Sequence, residues 1–168
     1  MSRLYTSLMV SSFIALAAAA FGAPGAAAQP SEQAVPIHRP TTSPDQTKAL
    51  VQEAVTLIDR DGLDKAHDQF HQRGPFRHDD IYVNVIDMDG VWRVYPPQPS
   101  GEGKSVLGVQ DADGKFLVQD IIALAKKNGE GWISYRWLNP ETKKIQLKQS
   151  FVKRVPGKDL VVYVGIYR

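Results

Sequence analysis

The segment from Gly131 to Ser150 brings together side chains that could hold a small anionic molecule: its sequence is GWISYRWLNPETKKIQLKQS. Two of the three tryptophans of the chain lie in it, together with a tyrosine and Lys148. A phenol hydroxyl and an ammonium group can bind a carboxylate, and indole rings can form the apolar wall of a pocket. The same residues could instead pack a core, with the lysine extending its ammonium group to solvent.

Strand alternation predicts which of these side chains share a face of the sheet. Successive residues of a strand point to opposite faces, so Tyr135 and Trp137 lie on the same one. If the turn is the four residues 139–142, Ile133 lies opposite Lys148, and directly paired residues point to the same side. We therefore predict that Lys148 lies on the face of Tyr135 and Trp137.

The same pairing places Trp132 and part of the second strand on the opposite face. Three apolar residues of the second strand are predicted to pack there against a helix: Ile145, Leu147 and Phe151. A one-residue slip in the pairing would exchange the two faces, so these assignments depend on the length of the turn.

The N-terminal residues have the pattern of a secretory signal peptide. Arg3 precedes an apolar run from Leu8 to Phe21, and residues 26–28 are three alanines suited to cleavage. The alternative is a membrane anchor, but the run is short for a span. We predict that residues 1–28 are a signal peptide and that the mature protein is periplasmic, without stable membrane insertion.

The composition of the remaining chain argues against several classes of function. Removing residues 1–28 from the 168 leaves 140, a length that fits one domain. The absence of cysteine excludes disulfides and thiol catalysis. Dispersed lysines and arginines and nearly balanced charge argue against a nucleic-acid partner. The sequence has no nucleophile motif and no phosphate-binding glycine loop, so we expect neither enzyme activity nor a cofactor.

The order of predicted elements indicates an α+β domain over residues 43–168, after a flexible leader at residues 29–42. Ser43 and Gln46 form a capping box that begins a helix, and Asp61-Gly62 ends it. The other predicted elements are a short helix to residue 71, strands 81–87 and 91–95, a helix at 116–127, and strands 132–138, 144–155 and 160–167. Strands joined by hairpins favour an antiparallel sheet, which we expect to carry its helices on one side.

Several stretches of the chain resemble the single Cache domains of the second type, which are bacterial extracytoplasmic sensor domains. In chain order they are DIYVNVIDMDG, the pair Gly103-Lys104, DADGKFLVQDII, NGEGWISYRWLNPETKKIQLKQSFV and a closing GIY. The most specific part is G-W-x-x-Y-x-W-x-N-P followed by K-x-S. The resemblance extends from Ser43 to Arg168.

The resemblance implies a PAS-like Cache fold: a five-stranded antiparallel sheet, a long N-terminal helix packed on one face and a small-ligand pocket on the other. Family members commonly bind small organic acids such as acetate, propionate, lactate or pyruvate. Our hypothesis assigns six ligand-binding residues: Tyr82, Asn84, Trp132, Tyr135, Trp137 and Lys148. The lysine would neutralise a carboxylate, the tyrosines and the asparagine would hydrogen-bond it, and the tryptophans would form the walls.

The sequence departs from the family pattern near this predicted pocket. Asn84 stands where members often carry an aromatic residue, and Val94-Tyr95-Pro96 replaces an alanine-histidine-proline run. Phe151 replaces a frequent tyrosine. These departures change the size and polarity expected of the pocket and leave the identity of the ligand open.

No transmembrane segment or signalling module follows the predicted domain in this sequence. We therefore expect a stand-alone exported protein whose partners are a small-molecule carboxylate and a membrane receptor or transporter. The alternative hypothesis is an interaction module that docks on a membrane sensor or transporter and retains a vestigial pocket.

A second group of polar residues spans the end of the predicted short helix and the segment that follows it in the sequence. His67 and His71 are one helical turn apart, as metal ligands often are, and His78 follows. A polar helix end and a solvated loop would explain them as well, and the sequence shows no third ligand at a defined spacing, so we expect no metal site. Residues 87–90 and 111–114 both have the pattern D-x-D-G. We interpret them as turns, because neither has the ligand pattern of a calcium loop.

We predict that export removes the first 28 residues, because the charged start, apolar run and three alanines follow the signal-peptide order. N-terminal sequencing of protein recovered from the periplasm should begin at Gln29. A chain that still begins at Met1 would contradict the prediction and support the membrane-anchor alternative.

Overall fold

The computed structural model of the protein describes residues 42–168, so the predicted signal peptide and nearly all of the predicted leader lie outside the described residues. The helices are α1 Pro44–Asp61, α2 Leu63–His71 and α3 Leu117–Asn128, with a short 3-10 helix at Pro99–Gly101. The strands are β1 Arg77–His78, β2 Ile81–Tyr82, β3 Asn84–Asp87, β4 Trp92–Val94, β5 Glu130–Leu138, β6 Ile145–Arg154 and β7 Leu160–Tyr167. In residues 42–168, no helix combines the length and apolar character that a membrane crossing needs.

Five of the strands form one antiparallel sheet with the order β4-β3-β7-β6-β5, and β1 and β2 form a separate two-stranded ribbon. The predicted strand 81–87 is therefore divided at Val83, whose N–H donates to the carbonyl of Phe76 rather than to the main sheet. Residues before Val83 pair with β1, and residues after it pair with β7.

Helix α1 begins at the predicted capping box. The N–H of Gln46 donates to Ser43 Oγ at 3.2 Å, and the N–H of Ser43 donates to Gln46 Oε1 at 2.8 Å. The helix ends at Gly62, whose φ of +84° is a conformation that glycine adopts without strain. Its apolar stripe, which includes Val51 and Ile58, is fully buried against β6 and β7.

The core has two parts, one on each face of the sheet. Helices α1 and α2 pack on one face, whose buried residues include Val162 and Val164. Helix α3 packs on the other face, with Val161 and Tyr163. The expectation that all helices lie on one side was therefore wrong. Strand β7 is apolar on both faces and α3 has an apolar stripe of its own, so both faces of the sheet need a cover.

The β5–β6 hairpin has a longer turn than predicted. Leu138 pairs with Ile145, so six residues separate the strands, and Tyr135 lies directly opposite Lys148. The predicted pairing of Ile133 with Lys148 was wrong by two residues. Because side chains alternate with a period of two, this shift leaves every residue on its predicted face.

The same hairpin corrects the prediction for the apolar residues of β6. Phe151 is buried in the cluster under α1, as expected. Ile145 and Leu147 are 47% and 44% exposed, so the prediction that they pack against a helix was wrong. Both lie near the hairpin end of β6, beyond the part of the sheet that the helix covers.

The two D-x-D-G stretches form turns in which the first aspartate accepts backbone hydrogen bonds. Asp87 Oδ1 accepts from the N–H of Asp89 and of Val91, at 3.1 and 2.8 Å. Asp111 Oδ1 accepts in the same way from residues 113 and 115, both at 2.9 Å. The glycine at the end of each stretch has a positive φ, which explains its place in the turn.

Candidate ligand-binding pocket

The centre of the candidate site is the side chain of Lys148, which is only 2% exposed. Its Nζ donates a hydrogen bond to the hydroxyl of Tyr82 at 2.8 Å and to that of Tyr167 at 3.3 Å. It also lies 4.3 and 4.5 Å from the centroids of the same two rings, within cation–π distance. Two neutral phenols therefore hold this ammonium group.

Burial changes the protonation of this lysine. Loss of hydration lowers the pKa of Lys148 to about 7, and the negative charge of Asp80 acts in the opposite direction. Within residues 42–168, no carboxylate forms an ion pair with Lys148. A buried cation without an anionic partner is costly, so the site favours an anion that can approach it.

Strand β7 makes room for the lysine by carrying a glycine. Gly165 pairs with Ser150, and a Cβ atom on Gly165 would lie 2.4 Å from both Lys148 Cε and Ser150 Oγ. Neither approach is compatible with a side chain at that position. The hydroxyls of Ser150 and Tyr135 are 2.8 Å apart and share a hydrogen bond. Burial raises the pKa of Tyr135 far above its usual range, so this phenol stays protonated.

A cavity of about 20 Å3 lies beside the lysine, on the face of the sheet that α3 covers. Its lining is aromatic and apolar with a few polar groups: Tyr82, Asn84, Trp92, Tyr95, Val109, Leu117, Val118, Tyr135, Trp137, Lys148 and Tyr163. This volume is roughly that of one water molecule. The charged group in this lining is the ammonium of Lys148, which can attract an anion.

Asn84 contributes an unpaired polar atom to this lining. Its Nδ2 lies 3.4 Å from the carbonyl oxygen of Tyr163 and 3.5 Å from that of Tyr82, two acceptors that determine which end of the amide carries the nitrogen. Its Oδ1 is buried and has no hydrogen-bond partner among the residues that the structure describes. A buried acceptor without a donor costs about 1–3 kcal/mol of stability. This oxygen therefore favours a water molecule or a ligand that can donate a hydrogen bond to it.

A stacked pair of rings, Trp92 and Tyr95, borders the pocket beside β4. The two ring centroids are 4.0 Å apart and the planes are nearly parallel, at 10°. The indole Nε1 of Trp92 donates to the hydroxyl of Tyr163 at 3.4 Å. Tyr95 is half-buried and begins the long connection to α3, so this wall belongs partly to a loop.

The structure brings together five of the six residues predicted for the pocket, all except Trp132. Trp132 lies on the opposite face of the sheet, where it is 41% exposed and its ring packs edge-on against Phe151 at 5.2 Å. This position is the one that strand alternation predicts for Trp132. It is not a position in the pocket wall, where our hypothesis had placed this residue.

The contribution of strand β7 to the pocket was not predicted from the sequence. Tyr163, Gly165 and Tyr167 alternate along it and share the face of Lys148, which pairs directly with Tyr167. The signal was present as a period-two pattern in LVVYVGIY, but it could be interpreted only with the register of β6 and β7 in hand. Tyr95 was expected near the pocket only from the family resemblance, and Trp92 and the α3 residues of the lining had no local signal.

Comparisons with known proteins identify the family of this chain. The family model described as Single Cache domain 2 matches residues 41–168. The sensor histidine kinase MctS of Rhizobium johnstonii is 38% identical over 88 residues, which are 52% of this chain and 19% of that protein. The methyl-accepting chemotaxis protein McpP of Pseudomonas putida is 23% identical over 115 residues, 68% of this chain and 21% of that protein. The chain thus spans about a fifth of the length of these relatives.

Solved structures show the same fold. A Cache chemosensory domain solved for the structural basis of its carboxylic acid recognition has a TM-score of 0.64 and 23% identity, covering 73% of this chain and 91% of that one. A methyl-accepting chemotaxis protein from Vibrio parahaemolyticus has a TM-score of 0.63 and 23% identity, covering 73% and 86%. The family match, the sheet order and the helix on each face lead to one conclusion: this chain belongs to the Single Cache domain 2 family of sensory domains.

Proposed function

We propose that this protein is a periplasmic sensory Cache protein that binds a small organic acid and carries out no catalysis. The observation that carries the proposal is the buried ammonium group of Lys148, which has no anionic partner among residues 42–168. A ligand carboxylate would form the missing ion pair, and the hydroxyl of Tyr82, which lines the pocket, would donate a hydrogen bond to it.

The comparisons support this proposal at the level of the ligand class. A structural neighbour with the same fold is a Cache chemosensory domain that recognises carboxylic acids. The curated relatives are a sensor histidine kinase and a chemotaxis protein, and this chain matches about a fifth of each. We infer that the ligand-bound protein acts on a membrane receptor or transporter.

The small cavity sets a requirement for binding. About 20 Å3 is less than an acid of two to four carbons occupies, so lining side chains must move to admit it. Tyr95 and Val109 lie on the connection between β4 and α3, and both are only half-buried. The sheet side of the pocket, with Lys148 and Tyr135, is held by paired strands. We infer that the loop wall yields to the ligand while the sheet wall keeps its geometry.

We predict that Lys148→Met weakens the binding of a small monocarboxylate by roughly 10- to 150-fold, the worth of a charge-assisted hydrogen bond of about 1.5–3 kcal/mol. Methionine retains much of the side-chain volume and removes the buried charge, so at pH 7 the melting temperature should hold or rise. Calorimetric titration with acetate, propionate, lactate and pyruvate measures the affinities.

The matched control for this variant is Lys144→Met, which removes an exposed lysine from the turn of the same hairpin. Lys144→Met should bind like the unmodified protein. Equal affinities for Lys148→Met and the unmodified protein would contradict the assigned role of Lys148. No measurable binding of any of the four acids by the unmodified protein would support the interaction-module alternative.

The unpaired Oδ1 of Asn84 leads to a preference among the acids. A 2-hydroxy acid supplies the donor that this oxygen lacks, whereas the matching acid without the hydroxyl leaves it unsatisfied. We predict that lactate binds about 2- to 13-fold more tightly than propionate, the effect of a net hydrogen bond of about 0.5–1.5 kcal/mol.

The variant Asn84→Leu tests the origin of this preference, because leucine is of similar size and cannot accept a hydrogen bond. The ratio of the two affinities should fall to about one, whatever the absolute affinities become. Equal binding of lactate and propionate by the unmodified protein, or a preference that persists in Asn84→Leu, would show that Asn84 does not select the ligand.

A further inference from the structure

We propose that His67, His71 and Glu102 form a binding site for a divalent transition metal ion, with Zn2+ as the best match. The three side chains lie outside the ligand pocket, where α2 faces the connection that follows β4. The proposal rests on their convergence, on the chemistry of the three ligands and on the groups that orient them.

The two histidines present the same ring nitrogen to one carboxylate. His67 Nε2 lies 2.9 Å from Glu102 Oε2, and His71 Nε2 lies 2.8 Å from Glu102 Oε1. The imidazole rings are neighbours on one face of α2, with centroids 4.4 Å apart. Two imidazoles one helical turn apart, opposed by a carboxylate, are a ligand set that binds zinc in proteins.

The distances between the ligand atoms can fit an ion after the side chains adjust. Ligand atoms about 2.1 Å from a tetrahedral zinc ion lie roughly 3.4 Å from one another. Here one ligand atom from each residue can be chosen so that all lie within 4.8 Å of one another. The hydrogen-bonded pairs, at 2.8 and 2.9 Å, would have to separate by about half an ångström, and the widest pair, at up to 4.8 Å, would have to close by as much as about 1.4 Å. Rotation of the two histidine side chains can supply both movements. Three protein ligands would leave the fourth position to water.

Neighbouring groups orient two of the three ligands. The N–H of Tyr95 donates to Glu102 Oε1 at 2.5 Å, which restricts rotation of the carboxylate. His67 Nδ1 lies 3.5 Å from Asp68 Oδ1, on the side of the ring away from the cluster. A carboxylate behind a coordinating imidazole and a backbone donor behind a coordinating carboxylate are the partners that support metal sites.

The cluster is also open to an ion from solvent. The side chains of His71 and Glu102 are 18% and 17% exposed, and that of His67 is 37% exposed. This partial burial excludes much of the competing water and leaves a route for entry. The third ligand could not be found from sequence spacing, because Glu102 lies 31 residues after His71 and only the fold brings them together.

The alternative for these contacts is a hydrogen-bonded clamp that fastens the loop to α2 without an ion. Both interpretations expect stability to depend on Glu102. Only the metal site requires a stoichiometric ion, so binding of the metal itself separates the two.

The test is calorimetric titration of ZnCl2 into the whole chain, without an affinity tag and after treatment with EDTA. We expect one ion per chain and at least a tenfold loss of affinity in His71→Gln and in Glu102→Gln. The glutamine in the second variant can still accept from the N–H of Tyr95, which favours folding. The matched control is His78→Gln, an exposed histidine outside the cluster, and it should leave zinc affinity unchanged.

Histidine ring signals in NMR spectra of the unmodified protein provide a measurement that needs no variant. Addition of zinc should shift the signals of His67 and His71 and leave that of His78 in place. No saturable binding, binding unaltered by both cluster variants, or shifts confined to other histidines would overturn the proposal.

Discussion

The buried ammonium group of Lys148 is the constraint around which the pocket face of this domain is built. Its pKa in the folded protein is about 7, against an ordinary value of 10.5. Below pH 7 the lysine is charged in both the folded and the unfolded state, and the fold bears the full cost of desolvation. Between pH 7 and 10.5 the unfolded chain binds more protons, so this group makes the free energy of unfolding rise with pH, by up to about 1.4 kcal/mol per pH unit. A bound carboxylate would offset the cost at neutral pH.

The two faces of the sheet differ in composition: one carries an apolar core and the other carries buried polar groups. Helices α1 and α2 cover one face with an apolar core that includes Phe70 and Val85, both fully buried. The other face carries Lys148, its tyrosine partners and the unpaired oxygen of Asn84. Buried polar groups of this kind stabilise a fold less than apolar packing does. We propose that the stability of the first face allows the pocket face to hold polar groups whose partner is a ligand. Gly165 serves the pocket rather than the core, since the absence of a side chain there leaves space for the side chain of Lys148.

The parts of the fold that depend on local patterns were predicted from the sequence, and the parts that depend on contacts between distant residues were not. The start of α1 at its capping box and the second helix from Leu63 to His71 follow from short-range chemistry. The faces of β5 and β6 were correct although the turn is two residues longer, because alternation depends only on whether the shift is even or odd. Three features depend on tertiary contacts that sequence spacing does not reveal. They are the register of β7, the pairing of Tyr167 with Lys148 and the contact of Glu102 with α2. The resemblance to Cache domains supplied the pocket face, but not the exclusion of Trp132 from it.

The most direct test of the account is an NMR titration of the Lys148 side chain, using lysine labelled at Cε or Nζ, in the protein alone and with saturating lactate. We predict a pKa of about 7 for Lys148 without ligand. With lactate bound it should rise to about 8 or 9, because a carboxylate contact worth about 1.5–3 kcal/mol favours the charged form by that amount. The Lys148→Met variant identifies the signal by its absence. An ordinary pKa near 10.5 in the free protein, or a value that lactate leaves unchanged, would contradict the claim that a buried, unpaired cation is what the ligand binds.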